Sequence, residues 1–358
     1  LYTGLTLVDT LLPIAKGQRQ LLFGPVRGGK TDFLIDTVLN QEQYDTICIY
    51  TVIGKSLSEL ERIRSRVFGN EKAGKTIIIA ALSDQSSPRI SIAPSIGFLV
   101  ADYFQRKGAN VLVILDDLDV HAKYLREIAL LEDRLPGRES YPGDLFYQQA
   151  HLLERSGRFA PSFGGGSITV LPVIDTDAYT ALGIVSTNLM SCTDGHLSFV
   201  ANLAAEGIYP AISEEQSITR IGRSAQSLVQ RQLSFELRMA LAAGQRERQY
   251  AQFGTQVSKS VAETLHKGDT IEALMRQEPS HRVPAEVQIP LLSLAFSSFL
   301  LEKDIAFVKA NRLKLIEGLV ERAELRELVQ SALTETPFAE YLKKVEANRA
   351  VFESICRA

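Results

Sequence analysis

Gly24-Pro25-Val26-Arg27-Gly28-Gly29-Lys30-Thr31 matches G-x-x-x-x-G-K-[ST] at every fixed position. The match directly follows an apolar run, Gln20-Leu21-Leu22-Phe23, and opens a helix-length segment, Lys30 to Leu39. A phosphate-binding loop needs that strand–loop–helix context, and a glycine-rich turn without a ligand has no reason to share it. Glycines let the backbone curl so that its N–H groups face phosphate oxygens, while the helix N-terminus adds a favourable dipole. In this pattern Gly24, Gly28 and Gly29 shape the cradle and Lys30 reaches the β- and γ-phosphates. The Thr31 hydroxyl is placed to ligate Mg²⁺.

Working outward, the same rhythm recurs through about residue 225: a short apolar run, a turn, then a helical stretch. The runs are Thr46 to Val52, Thr76 to Ala80, Val111 to Leu115 and Ser167 to Ile174. Several are almost continuously apolar, as strands buried on both faces of a parallel sheet are. Between them lie segments of helix length, such as Ser58 to Val67 and Ile96 to Arg106. Strands alternating with helices predict a doubly wound α/β sheet. One run ends in acids, Val111-Leu112-Val113-Ile114-Leu115-Asp116-Asp117. There Asp116 is placed to hold Mg²⁺ through water, and Asp117 to cap the following segment.

After about Ser224 strand-like runs stop. Long amphipathic segments follow: Ser227 to Gln252, Gln256 to His266, Pro284 to Glu302 and, with interruptions, Ile305 to Ile355. Leu228, Leu233, Phe235, Leu237 and Leu241 recur at helical spacing. The predicted organisation is a nucleotide-binding domain over residues 1–226 and a helical domain over residues 227–358. A length of 358 residues suits two domains at about 150 residues each.

Composition narrows the function classes. Apolar residues make up 45% of the chain, which excludes a disordered tail or a collagen-like fibre. With 39 basic against 42 acidic residues, a strongly basic nucleic-acid scaffold is disfavoured. Three cysteines, Cys48, Cys192 and Cys356, form no CxxC pair and predict a reducing compartment rather than a disulfide framework. The five histidines show no metal-ligand spacing, and no Ser-His-Asp order or G-x-S-x-G elbow is present. No apolar stretch is long enough to span a bilayer. Leu1-Tyr2-Thr3-Gly4 has neither an initiator Met nor a signal peptide and reads as the interior of a longer chain.

Further stretches converge on one family. Thr3-Gly4-Leu5-Thr6-Leu7-Val8-Asp9 leads to Lys16-Gly17-Gln18-Arg19-Gln20 before the phosphate loop. Pro136-Gly137-Arg138-Glu139-Ser140-Tyr141-Pro142-Gly143-Asp144 precedes Leu152-Leu153-Glu154-Arg155. Then come Gly164-Gly165-Gly166-Ser167, Thr193-Asp194-Gly195, Gly207-Ile208-Tyr209-Pro210-Ala211, Ser217-Ile218-Thr219-Arg220-Ile221-Gly222 and Ala251-Gln252-Phe253-Gly254. In this order the chain resembles the alpha subunits of F-type rotary ATP synthases along nearly its whole length, and the PGRE-YPGD stretch favours alpha over beta.

The resemblance implies an α/β RecA-like P-loop NTPase domain with a mainly parallel sheet, followed by an all-α domain. It implies ATP or ADP with Mg²⁺ as ligands, in proton-coupled ATP synthesis or hydrolysis. Implied partners are beta-type catalytic subunits in an alternating hexamer and a central-stalk rotor subunit, with no nucleic acid. Membrane association would come only through the rest of the complex, at the cytoplasmic face. An N-terminal β-barrel would precede the first residue.

Hydrolysis in this family needs a carboxylate that aims water, placed on the residue after a glycine at the end of the second strand. Here that run is Tyr50-Thr51-Val52-Ile53-Gly54-Lys55-Ser56, and a cation stands where the acid would be. Glu59 and Glu61 follow at positions expected to face solvent. The resemblance therefore implies a site that binds nucleotide without turning it over. Arg220 matches the arginine finger that alpha subunits extend into a beta-type neighbour, where a guanidinium stabilises charge on the γ-phosphate.

Some positions depart from the family pattern. Arg27 replaces polar loop residues and is placed to contact phosphate. Tyr209, before Pro210, and Gln277 fall at adenine-contacting positions, with Tyr209 expected either to stack on the base or to pack on Pro210. The rival reading is a homohexameric RecA-like motor of export or translocase type. It requires its own water-orienting carboxylate and basic or aromatic pore loops.

Overall fold

In the computed structural model, residues 1–69, 74–176, 183–252 and 259–357 are described. The apolar runs of the first half become strands: β1 (Gln20–Gly24), β2 (Thr46–Lys55), β3 (Thr76–Leu82), β4 (Asn110–Asp116), β5 (Gly157–Arg158), β6 (Ser167–Asp175), β7 (Gly195–Phe199) and β8 (Ile212–Thr219). They form one sheet in the order β3-β2-β4-β6-β1-β7-β8, with β5 pairing on β6. From β3 to β7 every pairing along this order is parallel; β7–β8 and β5–β6 are antiparallel.

The reason is burial. Ile49, Val111, Val113, Leu115, Ile168 and Val170 are all at most 1% exposed. A strand covered on both faces gains from apolar residues at every position instead of alternate ones. The helices Ser87–Gln105 and Leu118–Leu131 pack on β2, β4 and β6, and Lys30–Asn40 packs on β1. Ser87–Gln105 begins nine residues earlier than the sequence suggests. It accommodates Pro94 in its interior, and a second proline, Pro88, sits in its first turn, where the missing N–H costs nothing.

Contacts group the chain into two units: Leu1–Thr3 with Leu12–Ala225, and Gly4–Leu11 with Gln226–Ala358. In the second, every regular element among the described residues is a helix, α or 3₁₀. Its helices Leu228–Gln252 and Lys259–Met275 pack together, with Leu233, Leu237, Ile271 and Leu274 buried. The segment expected as one helix from Pro284 to Glu302 is instead Ala285–Ser293, a 3₁₀ turn and Ser298–Leu301. Phe299 stacks on Phe352 at 6.4 Å between ring centroids and anchors this unit's core. The short helix Thr6–Leu11 belongs to this unit, held by a hydrogen bond from Thr6 N to Gln277 Oε1 of 2.6 Å. Phe253-Gly254 and the predicted helix start at Gln256 lie outside the described residues.

Candidate functional site

β1 lies between β6 and β7, and its C-terminal end delivers the phosphate loop to the same sheet edge as the ends of β2, β4 and β6. In open α/β sheets the crevice beyond those carboxyl ends is where ligands bind. Register sets who meets whom: Gly24 pairs with Asp175, and Val52 pairs with Asp116. Past Val52, Gly54 adopts φ +63, and a Cβ there would come within 2.5 Å of Val120 Cγ1. Only glycine turns the backbone here without a clash, and the turn carries Lys55 over Asp116.

The loop itself curls as the glycine pattern demands. Gly29 has φ 89 and Arg27 φ 63, and Lys30 opens the helix Lys30–Asn40. Lys30 Nζ donates to Gly24 O at 2.8 Å and Pro25 O at 2.7 Å, and pairs with Asp175 Oδ1 at 2.8 Å. Beside the loop is a cleft of about 590 Å³. That volume lies within the range of small-molecule sites. Arg27, Gly28, Gly29, Lys30, Thr31 and Asp116, all expected from the sequence, line it together.

Lys55 lines it too, with Nζ 2.9 Å from Asp116 Oδ1, while the Tyr50 hydroxyl donates to Asp116 Oδ2 at 2.8 Å. Asp116 is 2% exposed, so this pair is shielded from solvent. Burial works against the charge on Lys55, but the Asp116 and Asp117 carboxylates outweigh it and raise its pKa above the ordinary lysine value. Burial, reinforced by Asp116, raises the Tyr50 pKa, so its phenol stays a neutral donor. Asp117 caps the helix Leu118–Leu131, accepting from Val120 N at 2.6 Å, with its carboxyl pushed up to about 8 by burial and by Asp116.

These contacts test the metal site that the sequence implies. Mg²⁺ keeps an octahedral shell and gives up water reluctantly, so it needs carboxylate oxygens open to its hydration shell. Both oxygens of Asp116 are engaged, one by an ammonium. Thr31 lies at the cleft, but Asp116 does not fit the acceptor role its strand position suggested.

Glu59 and Glu61 are exposed, as expected, although Glu59 also lines the cleft. Glu59 is occupied: it completes a capping box, accepting from Ser56 N at 3.0 Å and from Ser56 Oγ at 2.8 Å. Burial opposes its ionisation, but the Ser56 bonds and the Lys55 charge outweigh it and hold its pKa below the ordinary value. Glu61 pairs with Arg64 at 3.3 Å.

The remaining expected residues sit elsewhere. Tyr209 and Pro210 are buried, and the Tyr209 hydroxyl donates to Asp36 Oδ2 at 2.7 Å, tying it to the helix the phosphate loop opens. Gln277 belongs to the helical unit, where its amide donates to Gly4 O at 3.0 Å and His281 O at 2.8 Å. Arg220 is exposed just past β8, its Nη1 donating to Thr193 O at 3.2 Å. Thr219 pairs with Gly195, and Gly195 with Gln20, so Arg220 stands at the opposite end of the sheet from the phosphate loop. At about 3.3 Å per residue, the length of β1 alone separates the two by roughly 13 Å.

Sequence reading missed Tyr50, Arg62 and Asp175. Asp175 carried a usable signal, an apolar strand ending in an acid as β4 does. Tyr50 and Arg62 carried none: the relevance of Tyr50 depends on β4 becoming the neighbour of β2, and that of Arg62 on where the helix Leu57–Phe68 lies beside the cleft.

Known proteins bear on this geometry. The model of the ATP synthase alpha/beta family, nucleotide-binding domain, matches residues 4–219, and that of the ATP synthase alpha/beta chain, C terminal domain, matches residues 226–346. The chain is 37% identical over 359 residues to the ATP synthase subunit alpha of Dictyoglomus turgidum, covering 97% of this chain and 70% of that one. It is 36% identical over 345 residues to the subunit alpha of Clostridium acetobutylicum, covering 93% and 68% respectively. Both family models fall in order along the chain, and the alpha-subunit likeness runs almost from end to end: the chain belongs to the ATP synthase alpha/beta family, as an alpha-type member.

Proposed function

We propose that this chain is the nucleotide-holding, non-hydrolysing partner in a rotary F-type ATP synthase, and that it completes the catalytic site of a beta-type neighbour. The observation that carries the reading is Lys55 on Asp116 at 2.9 Å, at the position where hydrolysis needs a carboxylate. An ammonium cannot accept a proton from water. Glu59, the nearest acid on that side, is committed to its capping box and held in the ionised form by it.

Nucleotide enters the cleft with Lys30, Thr31 and the loop N–H groups on its phosphates, and Arg27 adds charge at the mouth. Tyr209 and Pro210 are the adenine-side residues that the nucleotide-binding unit contributes in this reading. Arg220 acts in trans. Its exposure, and its place at the far end of the sheet from the chain's own phosphate loop, suit a group that serves another subunit's γ-phosphate. The wider assembly is an alternating hexamer with beta-type subunits around a central-stalk rotor, driving proton-coupled ATP synthesis or hydrolysis. It is attached at the cytoplasmic face of the membrane through other subunits. Among the described residues no helix is long and apolar enough to cross a membrane.

The test is reconstitution with a beta-type partner. Arg220→Ala should lower steady-state hydrolysis by about 10³-fold or more, the scale of arginine fingers, while nucleotide binding to this chain is unchanged. Unchanged turnover removes the finger role. Hydrolysis by the pure chain that disappears in Glu59→Gln would favour the self-sufficient hexameric motor instead.

A further inference from the structure

We propose that Lys55 takes the place of the divalent cation on Asp116, so that this site holds a nucleoside triphosphate without requiring Mg²⁺. The inference rests on the nucleotide-binding reading above and adds how the charge of the ligand is met. Three observations carry it. Lys55 Nζ lies 2.9 Å from Asp116 Oδ1, and the Tyr50 hydroxyl occupies Oδ2 at 2.8 Å, so both acceptor atoms of the carboxylate are used. The ammonium is not a surface group that swings away: its side chain is 13% exposed, and Gly54 and the Val52–Asp116 register aim it.

The third observation is the charge around the cleft. Arg27, Lys30, Lys55 and Arg62 line it together with four carboxylates, Asp32, Glu59, Asp116 and Asp175; Asp32 pairs with Arg66 and Glu59 is held by Ser56. Among the described residues Arg27 and Arg62 make no ion pair, while Lys30 and Lys55 pair with Asp175 and Asp116. Anionic phosphate oxygens entering this cleft meet cations already in place. Lys30 can move from the loop carbonyls to phosphate, and Lys55 can bridge a terminal phosphate oxygen while keeping Asp116. A hydrated Mg²⁺ seeking Asp116 would have to displace a buried ammonium from one oxygen and a phenol from the other, leaving the ammonium without its partner.

A fluorescent ATP analogue titrated into the full chain, in Mg²⁺ and in excess EDTA, reads this directly. The expected result is affinities in the two buffers that agree within about threefold, a difference well under 1.4 kcal/mol. In Lys55→Gln, Asp116 is freed for metal, and removing Mg²⁺ should weaken binding at least about tenfold. Tight binding in Mg²⁺ that collapses in EDTA for the unaltered chain overturns the inference and leaves the nucleotide-binding reading intact. Absence of binding in both buffers overturns the nucleotide-binding reading itself. The comparison in the unaltered chain needs no variant, so misfolding of Lys55→Gln cannot decide it.

Discussion

Lys55 and Asp116 sit at the ends of neighbouring parallel strands, and their 2.9 Å ion pair closes the sheet edge beside the phosphate loop. Lys55 gives the acid at the end of β4 an internal counter-charge, and on the reading proposed above it stands where hydrolysis would need a carboxylate. Because the pair is shielded, losing one partner would leave the other buried and uncompensated.

Gly54 is the hinge of that arrangement. With φ +63 and Val120 Cγ1 2.5 Å from a prospective Cβ, Gly54→Ala should destabilise the fold by about 1–3 kcal/mol. A urea midpoint measures the loss. Nucleotide affinity should fall as well, because the turn that places Lys55 shifts; an unchanged midpoint would show that the backbone absorbs the methyl group.

On the reading proposed above, Lys30 is the side chain of the loop that meets phosphate. Lys30→Ala should weaken nucleotide binding by about 100-fold or more, the scale of a lost charge-assisted contact to phosphate. Stability should change little, since Asp175 is 30% exposed and can be rehydrated once unpaired. Calorimetric titration beside a melting curve separates the two effects.

His121 gives the nucleotide-binding unit an acid sensitivity. Its Nε2 contacts Ser91 O at 2.8 Å, and burial lowers its pKa below the ordinary 6.5. Between those two values the unfolded chain binds a proton that the folded chain does not, so His121 stabilises above about pH 6.5 and that contribution is lost as pH falls. His121→Phe should flatten the decline of the urea midpoint as pH falls below about 6.5. An equally steep decline in the variant would move the sensitivity to other groups.

Tyr209→Phe removes only the hydroxyl that donates to Asp36 at 2.7 Å. The expected cost is about 1–3 kcal/mol, because the donor's loss leaves a buried carboxylate oxygen short of a partner. If chemical denaturation shows no change, water has replaced the hydroxyl.

The strands read from apolar runs were β1, β2, β4 and β6, which are largely buried, and β3, an apolar edge strand that is only half-buried. β5, β7 and β8 went unread, β5 being only Gly157–Arg158. β7 is the five residues Gly195-His196-Leu197-Ser198-Phe199, and β8 is an edge strand whose Ser213, Glu214, Glu215 and Gln216 are not buried. Polar edge strands carry no apolar run, because solvent rather than a helix covers them. The helix Ser87–Gln105 was read too short because Pro94 looks like a terminator, and tertiary packing on β2 and β4 overrides that local preference.

Residue order alone determined the phosphate loop, the α/β then all-α succession and the family, because each depends on local spacing or on motifs in sequence. It also marked Lys55 as a cation directly after Gly54, at the end of the second apolar run. Only the folded sheet decided what that cation does. Placing β2 beside β4 in register is what sets Lys55 and Tyr50 on Asp116, and pairing β1 with β6 is what sets Asp175 on Lys30. Contacts between strands distant in the chain follow from the topology that buries the most apolar surface, and no short stretch of sequence encodes them.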